Sequence, residues 1–153
     1  MIVKDIFQEK VDFTTPDATL LDAARVIFGH NHKGVPVVEL PSKKLVGFIT
    51  EQDILSQLFP NIKDIIEDYV HARDFEAMEG KAKIVLTKKV QEVMSKKIRA
   101  IHEDTPILKA ESIMKLRDIS RLPVVDEKGN LIGIISKGDI FRALVNVKIR
   151  GFK

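Results

Sequence analysis

The sequence predicts an α/β (α+β) fold made of two tandem β-α-β-β-α repeats, and internal symmetry is the main reason. Segment 45–54 (LVGFITEQDI) returns as segment 131–140 (LIGIISKGDI). Upstream, 35–38 (VPVV) matches 122–125 (LPVV), and the first copy has one extra residue in the loop 39–44. A long period that occurs only twice is typical of a duplicated α/β unit and not of a solenoid.

The composition excludes several classes of protein. A chain of 153 residues with 44% hydrophobic residues is long enough to bury a substantial core. It contains no cysteine, which excludes disulfides and thiol chemistry and favours a cytoplasmic location. The 25 basic and 22 acidic residues are too evenly balanced to indicate a nucleic-acid interface. No apolar run approaches the ~18 residues of a membrane helix, and no signal peptide pattern occurs, so we expect no membrane span.

The first repeat is predicted to contain a short extended stretch, a helix and a β-hairpin. Residues 11–13 are the extended stretch, and Thr19 is the expected N-cap of the helix because Asp22 follows at capping-box spacing. The β-branched runs Gly34–Glu39 and Lys44–Thr50 predict two strands joined by a turn. The apolar face of the helix is predicted from i, i+4, i+7 spacing and comprises Leu20, Ala24, Ile27 and Phe28.

The second repeat has the same order of elements with clearer boundaries. Thr105 is the expected N-cap of a helix that has Pro106 at its first position. Residues 122–125 and 131–136 are predicted strands, and 126–130 (DEKGN) is the tight turn between them.

A helical insertion separates the repeats, so the predicted organisation is repeat 1 (1–60), insertion (61–89) and repeat 2 (90–153). Apolar residues at helical spacing over 62–70 predict an amphipathic helix. The pattern then weakens, and residues 80–83 (GKAK) are interpreted as a joint before the second repeat. An insertion with an apolar stripe either packs on its own repeat or contacts a partner.

Each repeat ends in the pattern Gly-h-h-[Thr/Ser]-x-x-Asp, where h is hydrophobic, at residues 47–53 and 133–139. In both copies this pattern follows h-Pro-Val-Val and a capped helix at the same spacing. The repeat resembles a CBS domain, and the pair resembles the tandem called a Bateman module. The resemblance covers the chain except the insertion. It implies two repeats related by a pseudo-twofold axis, with two clefts that commonly hold AMP, ADP, ATP or S-adenosylmethionine.

The same pattern has a chemical interpretation of its own. Thr50 and Ser136 end a strand and begin a helix, where unpaired backbone N–H groups and the helix dipole favour a phosphate. Asp53 and Asp139, one helical turn later, offer two carboxylate oxygens to the two hydroxyls of a ribose. These residues also fit capping boxes, in which hydroxyl and carboxylate only satisfy the first helical turn, and this alternative stays open.

The resemblance places adenine against the first strand of each repeat and the segment around its h-Pro. In the first repeat these residues are Phe13, Thr14, Thr15, Gly34, Val35 and Pro36. In the second repeat they are Ala100, Ile101, His102, Arg121, Leu122 and Pro123.

Of the two sites, the second is the one we expect to be occupied. Glu51 places a carboxylate beside Thr50 and disfavours a phosphate, whereas Lys137 follows Ser136 and favours one. Gly138 lets a phosphate approach the helix start closely. Cationic or titratable residues that add to this site, or form a solvated face, are Arg99, His102 and Arg121.

These features predict a regulatory module, not an enzyme, that senses AMP, ADP, ATP or a related adenosyl ligand and signals to a protein partner. No cofactor is required, and the sequence has neither a nucleophile elbow nor a P-loop. The histidines lack the spacing of metal ligands, so no metal site is predicted. The alternatives are a structural homodimer without ligand and a nucleic-acid-binding or membrane-transporter accessory protein, although the balanced charge argues against nucleic acid.

A homodimer is also expected. Tandems of the family that this one resembles pair into flat discs through helices, and several helices here have apolar residues beyond a single stripe. The insertion is a rival surface for the same contact. The expected interface helices are 20–28, 54–59, 107–114 and 140–145.

Overall fold

The computed structural model describes residues 1–58 and 75–151, and the predicted α+β fold is confirmed. The helices are α1 (Leu20–Gly29), α2 (Glu51–Leu58), α3 (Phe75–Val85), α4 (Val90–Val93), α5 (Ile107–Leu116) and α6 (Lys137–Gly151). The strands are β1 (Gly34–Glu39), β2 (Lys44–Thr50), β3 (Ile101–His102), β4 (Arg121–Val125) and β5 (Leu131–Ser136). The predicted helix 62–70 lies outside the described residues. Among the helices that are described, none is both long enough and apolar enough to cross a membrane.

Within the described residues, contacts divide the chain into two compact units that differ from the sequence repeats. The second-repeat unit gathers three segments: Met1–Val11, Leu40–Leu45 and Ile98–Lys153. The first-repeat unit gathers two segments: Asp12–Glu39 and Val46–Lys97. Each unit therefore contains most of one repeat together with the N-terminal segment of the other. The domain boundaries at residues 60 and 89 follow the sequence repeat and stay a prediction.

The N-terminal segment of each repeat packs in the unit of the other repeat, and we call this the exchange of N-terminal segments. It is seen in two equivalent contacts, one in each unit. Val3 and Val90 occupy equivalent repeat positions and are both fully buried, Val3 in the second-repeat core and Val90 in the first-repeat core. The Val3 N–H donates to Thr105 O at 2.8 Å, and the Val90 N–H donates to Ala18 O at 2.8 Å. Thr105 and Ala18 are equivalent positions as well, so each repeat supplies the other with the same buried valine.

The second repeat contains a three-stranded sheet in the order β3-β4-β5. β3 is parallel to β4, with Ile101 opposite Val124. β4 is antiparallel to β5, with Arg121 opposite Ser136. In the first repeat β1 pairs with β2, and both strands have the predicted bounds.

The extended stretch predicted at residues 11–13 is wrong in position, because pairing begins one residue later. Thr14 forms a parallel bridge with Val37 of β1, and the Thr14 N–H donates to Pro36 O at 3.0 Å. Pro16 follows two residues on and has no N–H to continue the ladder. The pairing is thereby limited to a single bridge.

Each unit has its own apolar core. In the first-repeat unit the buried core residues are Leu20, Ala23, Ile27, Val35, Val37, Ile49, Ile54 and Val90. In the second-repeat unit they are Val3, Ile101, Ile107, Ala110, Met114, Leu122, Val124, Ile135 and Ile140. Because full burial of a large aliphatic side chain stabilises a fold by about 1.5–3 kcal/mol, these clusters provide the main driving force for folding.

The helix starts follow the predicted caps with one exception. Thr19 caps α1: its Oγ1 accepts from the Asp22 N–H at 3.2 Å, and Asp22 Oδ2 accepts from the Thr19 N–H at 3.1 Å. The predicted start of α5 is wrong by one residue, since Pro106 and not Thr105 is the N-cap. Pro106 has an extended ψ of 137°, which places it outside the helix.

Two other helix predictions are also wrong. On α1 the residue that turns fully inward is Ala23 and not Ala24, and Phe28 is 48% exposed. Residues 80–83 are not a joint, because α3 runs through them to Val85. A glycine inside a helix costs about 0.5–1 kcal/mol of stability relative to alanine. The neighbouring lysine and alanine residues have high helix propensity, which offsets this cost.

The glycine of each Gly-h-h-[Thr/Ser] pattern is required by the exchanged segment. A Cβ on Gly47 would lie 2.8 Å from Ser95 O. A Cβ on Gly133 would overlap the Phe7 ring and the Gln8 carbonyl oxygen. At both places the exchanged segment forms an antiparallel bridge with the strand that contains the glycine or its neighbour. Only a hydrogen atom fits between the two backbones.

Gly133→Ala should destabilise the protein by about 1–3 kcal/mol, because the added methyl group must displace Phe7 and the Gln8 backbone. The measurement is urea unfolding followed by circular dichroism. Gly80→Ala is the matched control: nothing lies within 4 Å of its Cβ position. Alanine there should leave the free energy of unfolding unchanged or raise it by about 0.5–1 kcal/mol. Equal stability of Gly133→Ala and the wild type would contradict the packing of the N-terminal segment on Gly133.

Candidate functional site

The candidate site of the second-repeat unit lies where β5 ends and α6 begins. Ser136 ends β5 opposite Arg121, the first residue of β4. The Lys137 N–H donates to Ser120 O at 3.0 Å, which joins the start of α6 to the start of β4. β3 runs parallel to β4, but Ile101 lies opposite Val124 and His102 opposite Val125, towards the other end of β4. The sequence-predicted residues that this arrangement brings together are Arg121, Leu122, Pro123, Ser136, Lys137, Gly138 and Asp139. Of the other three, Ala100 precedes β3, Ile101 lies beside the second half of β4, and His102 lies at the opposite end of the sheet, so the prediction is wrong for His102.

Exposure separates these residues into a supporting group and an accessible group. The side chains of Ile101, Leu122 and Pro123 are buried and hold the strands in place. The exposed residues at the start of α6 and β4 are Arg121, Lys137 and Gly138. The accessible part of the site therefore presents two cationic side chains, Arg121 and Lys137, around a helix start, which is a favourable setting for an anion.

Asp139 is 7% exposed, and its two oxygens accept four hydrogen bonds. Oδ2 accepts from the Ser136 N–H at 2.9 Å and from the Ser136 hydroxyl at 2.8 Å. Oδ1 accepts from Gln8 Nε2 at 2.9 Å and from Arg142 Nη2 at 2.6 Å. The Asp139 N–H donates back to Ser136 Oγ at 3.1 Å. The capping box is thus formed, and two further side chains share the carboxylate.

These partners decide the charge of Asp139. Burial raises the pKa of the carboxyl, but hydrogen bonds from Gln8, Ser136 and Arg142 outweigh it and bring the pKa below its ordinary value. The group is therefore a carboxylate at neutral pH. Sequence reasoning missed both Gln8 and Arg142. Arg142 has a usable signal, since it follows Asp139 at i+3 on a helix, but Gln8 lies 131 residues away and has none.

The equivalent site of the first-repeat unit lies between β2 and α2. The Glu51 N–H donates to Lys33 O at 2.8 Å, next to Gly34. The Thr50 N–H donates to Asp53 Oδ2 at 2.9 Å, and the Asp53 N–H donates to Thr50 Oγ1 at 3.1 Å. Asp53 is half-buried, and among the described residues no group donates to its Oδ1.

Gly34 distinguishes this site from the second one. Gly34 is the counterpart of Arg121, yet a Cβ on it would lie 2.7 Å from Phe48 Cε1 and 2.8 Å from Ile49 O. A side chain at this position would collide with β2, so the first site has no cation where the second has an arginine. Of the other predicted residues, Val35 and Pro36 follow Gly34 on β1, and Thr14 is bridged to Val37 further along that strand. Phe13 and Thr15 are the sequence neighbours of Thr14.

Comparison with known proteins identifies the family. Residues 3–59 and 90–146 each match the family described as CBS domain. The chain belongs to the CBS domain family. This CBS pair is 35% identical to an uncharacterized protein of Methanocaldococcus jannaschii, over 95% of this chain and 92% of the relative. It is 31% identical to part of the inosine-5'-monophosphate dehydrogenase of the same organism, over 93% of this chain but 22% of that enzyme.

Solved structures confirm the fold of the CBS pair. The CBS domain pair of protein MJ0100, in complex with 5-methylthioadenosine and S-adenosyl-L-methionine, is 26% identical with a TM-score of 0.64, over 95% of this chain and 97% of that chain. CBSX2 of Arabidopsis thaliana, solved in complex with AMP, is 23% identical with a TM-score of 0.71, over 96% of this chain and 98% of that chain. The predicted resemblance to a tandem of CBS domains is confirmed.

Asp139→Asn should destabilise the CBS pair by about 1–3 kcal/mol at pH 7, because Gln8, Ser136 and Arg142 lose a charged acceptor. Asp53→Asn is the comparison: it weakens only a helix cap and should cost about 0.5–2 kcal/mol. Both values are measured by urea unfolding.

The pH dependence has a definite sign. Because the pKa of Asp139 is lowered in the folded state, its contribution is present above the unfolded pKa of about 3.9 and is lost as pH falls through the lower folded value. The difference in stability between wild type and Asp139→Asn should therefore shrink in unfolding experiments below about pH 4. A difference that does not change with pH would show that the charge of Asp139 contributes nothing.

Proposed function

We propose that this CBS pair is a cytoplasmic regulatory module that binds an adenosyl ligand and passes its bound state to a protein partner, with no catalytic step and no nucleic acid. The supporting observation is the start of α6, where the Ser136 hydroxyl and the Asp139 carboxylate lie at one end of a sheet that also presents Arg121 and Lys137. Cations and a helix start suit a phosphate, and a carboxylate suits a ribose. The ligands in the MJ0100 structure, 5-methylthioadenosine and S-adenosyl-L-methionine, also belong to the class of adenosyl compounds.

The phosphate would bind at the start of α6, where few backbone N–H donors are available to it. The N–H groups of Lys137 and Asp139 already donate to Ser120 O and Ser136 Oγ. In the described part of the chain this leaves the N–H of Gly138 for a phosphate oxygen. Gly138 is exposed and has no side chain to block the approach, and the Lys137 ammonium and the helix dipole add favourable charge.

Ribose binding at Asp139 would require an exchange of partners. Oδ1 holds Gln8 and Arg142, and the Arg142 side chain is 66% exposed, so it can leave without opening the core. In our proposal the ribose hydroxyls replace both donors, and the released guanidinium pairs with a phosphate. Asp53 needs no such exchange, but Glu51 disfavours a phosphate, so the first site would take a less anionic adenosyl ligand.

The release of Gln8 offers a route for signalling. Gln8 belongs to the N-terminal segment that packs into the second-repeat unit. A ligand that removes its hydrogen bond to Asp139 changes how firmly this segment is held. A partner that binds one state of the segment better than the other would then sense the ligand through differential affinity.

Isothermal titration calorimetry with ATP, AMP and adenosine tests the ligand proposal. Asp139→Ala should weaken binding of ATP or AMP by about 1–3 kcal/mol, because ribose hydroxyls lose their acceptor. Lys137→Glu should lower the ratio of ATP affinity to adenosine affinity, since it places a carboxylate beside the phosphate. Lys128→Glu, an exposed change in the β4–β5 turn of the same unit, is the matched control and should leave the ratio unchanged.

Three results would contradict this proposal. Wild-type protein that binds neither these ligands nor S-adenosylmethionine would remove the adenosyl class. An Asp139→Ala variant that stays folded and binds like the wild type would remove the role of Asp139. A ratio that does not change in Lys137→Glu would place the phosphate elsewhere.

A second candidate function is homodimerisation, with or without ligand, and the exposed apolar residues favour it. Leu21 and Leu108 occupy equivalent positions and are 39% and 61% exposed. Leu55 and Phe141 are likewise equivalent and are 38% and 67% exposed. Because neither core uses these residues, we propose that α1, α2, α5 and α6 carry the interface of a homodimer. The rival surface, 62–70, lies outside the described residues.

The wild type should be a homodimer by light scattering at micromolar concentration, and the double variant Leu108→Glu/Phe141→Glu should be a monomer. Two buried charges at the centre of the proposed interface would make association unfavourable. Ile98→Glu is the control, because Ile98 is 52% exposed but lies outside these helices. A monomeric wild type, with or without nucleotide, would overturn the interface. Dimerisation that is lost only on deletion of residues 61–80 would assign it to the insertion instead.

A further inference from the structure

Away from the nucleotide site, three side chains of types that ligate metals converge at the C-terminal end of α1. Asp12 Oδ2 lies 2.7 Å from His30 Nδ1 and 2.7 Å from His32 Nε2. The three potential ligand atoms all lie within 4.8 Å of one another. Histidine spacing alone predicts no metal site, because the third group, Asp12, precedes His30 by 18 residues. All three residues belong to the first-repeat unit.

The backbone at the end of α1 fixes the two histidines. The His30 N–H donates to Val26 O at 3.3 Å, and the His32 N–H donates to Ile27 O at 2.8 Å. Asn31 between them is in the left-handed region with φ 56°. The bond from His32 to Ile27 O is the 6→1 hydrogen bond of a Schellman motif, with His30 as C-cap and Asn31 at C′. The turn brings both imidazoles to the same carboxylate, with ring centroids 6.0 Å apart.

We propose that Asp12, His30 and His32 form a binding site for a borderline divalent transition metal, Zn²⁺ foremost. Two imidazole nitrogens and one carboxylate oxygen form a ligand set that Zn²⁺ accepts in an open tetrahedral site, with water in the fourth position. Imidazole also suits Co²⁺ and Ni²⁺. Mg²⁺ and Ca²⁺ prefer oxygen ligands and are disfavoured by two nitrogens.

The distances require a small movement of the side chains. Ligand atoms around a tetrahedral Zn²⁺ with bonds of about 2.0–2.1 Å are roughly 3.3 Å apart. The two contacts of Asp12 must therefore open by roughly 0.6 Å to admit the ion. The side chains of Asp12, His30 and His32 are 39%, 60% and 23% exposed, which leaves them room to rotate and gives a hydrated ion access.

The charge at the cluster suits a cation. Asp12 supplies a carboxylate, which carries a negative charge at neutral pH. The carbonyl end of α1 adds the negative end of a helix dipole. When the metal binds, each ligating nitrogen gives up the proton with which it hydrogen-bonds Asp12: in a neutral ring this proton moves to the other ring nitrogen, and in a protonated ring it is released to solvent. Two N–H···O hydrogen bonds are thereby replaced by metal–ligand bonds.

A bound metal would act as a clip within the first-repeat unit. Asp12 lies two residues before Thr14, whose bridge to Val37 attaches this segment to β1. His30 and His32 belong to the end of α1. Metal binding would therefore tie the first segment of the unit to its first helix, and it would do so independently of any adenosyl ligand.

The test uses full-length, nucleotide-free protein stripped of metal with a chelator and titrated with Co²⁺. We expect one Co²⁺ per cluster with the intense visible absorption of a tetrahedral site, displaced by Zn²⁺, and a rise in melting temperature with Zn²⁺ but not with Mg²⁺. Asp12→Asn, His30→Gln and His32→Gln should each weaken Co²⁺ affinity by about tenfold or more, because each removes one of three ligands. Asp17→Asn, an exposed carboxylate outside the cluster, is the matched control and should bind Co²⁺ like the wild type.

Metal-free His30→Gln should unfold at the same urea concentration as the wild type, which separates loss of a ligand from loss of the fold. Wild-type protein without tetrahedral Co²⁺ absorption would show that the cluster is only a set of hydrogen bonds and would overturn the proposal. So would variants that bind Co²⁺ and Zn²⁺ with wild-type affinity. Because no nucleotide is present, neither result depends on whether the CBS pair binds an adenosyl ligand.

Discussion

The burial of Val3 and Val90 in exchanged cores is the interaction on which both units depend. Each valine is fully buried and belongs to the N-terminal segment of the opposite repeat. The segment also completes the sheet edge through bridges that leave no room for a side chain on Gly47 or Gly133. Because Gln8 follows in the same segment and reaches Asp139, the candidate site of the second-repeat unit is complete only when this segment is in place.

The two candidate sites share a plan but differ in the residues that surround the carboxylate. The counterpart of Gln8 is Ser95, whose short side chain accepts from the Lys97 N–H at 3.3 Å. The counterpart of Arg142 is Ser56, which accepts from Gln52. Neither serine bonds to the carboxylate of the first site, in contrast to Gln8 and Arg142 in the second. The duplication therefore kept the helix cap in both copies and changed the donors around it.

Features set by local rules could be predicted from the sequence, and features set by tertiary packing or by contacts between distant residues could not. The strands β1, β2 and β5 and the Thr19 cap have the predicted positions, because alternation and capping act over a few residues. The burial of Ala23 in place of Ala24 depends on how α1 packs against its sheet. Hydrophobic periodicity predicts the buried face of a helix only to within about one residue. The contacts of Gln8 with Asp139 and of Asp12 with His30 join residues 131 and 18 positions apart, so no local pattern contains them.

The exchanged segments also affect the order in which a newly made chain folds. Residues 1–11 are made well before most of the unit into which they pack, because the largest segment of that unit begins at Ile98. The first-repeat unit likewise needs Val90 before its core is full. Neither unit can therefore close while the ribosome is still translating the first repeat, and Val3 stays exposed to water until most of the second repeat has emerged. During that interval the nascent chain carries an unpaired strand edge and an open apolar core, which are the surfaces that chaperones bind.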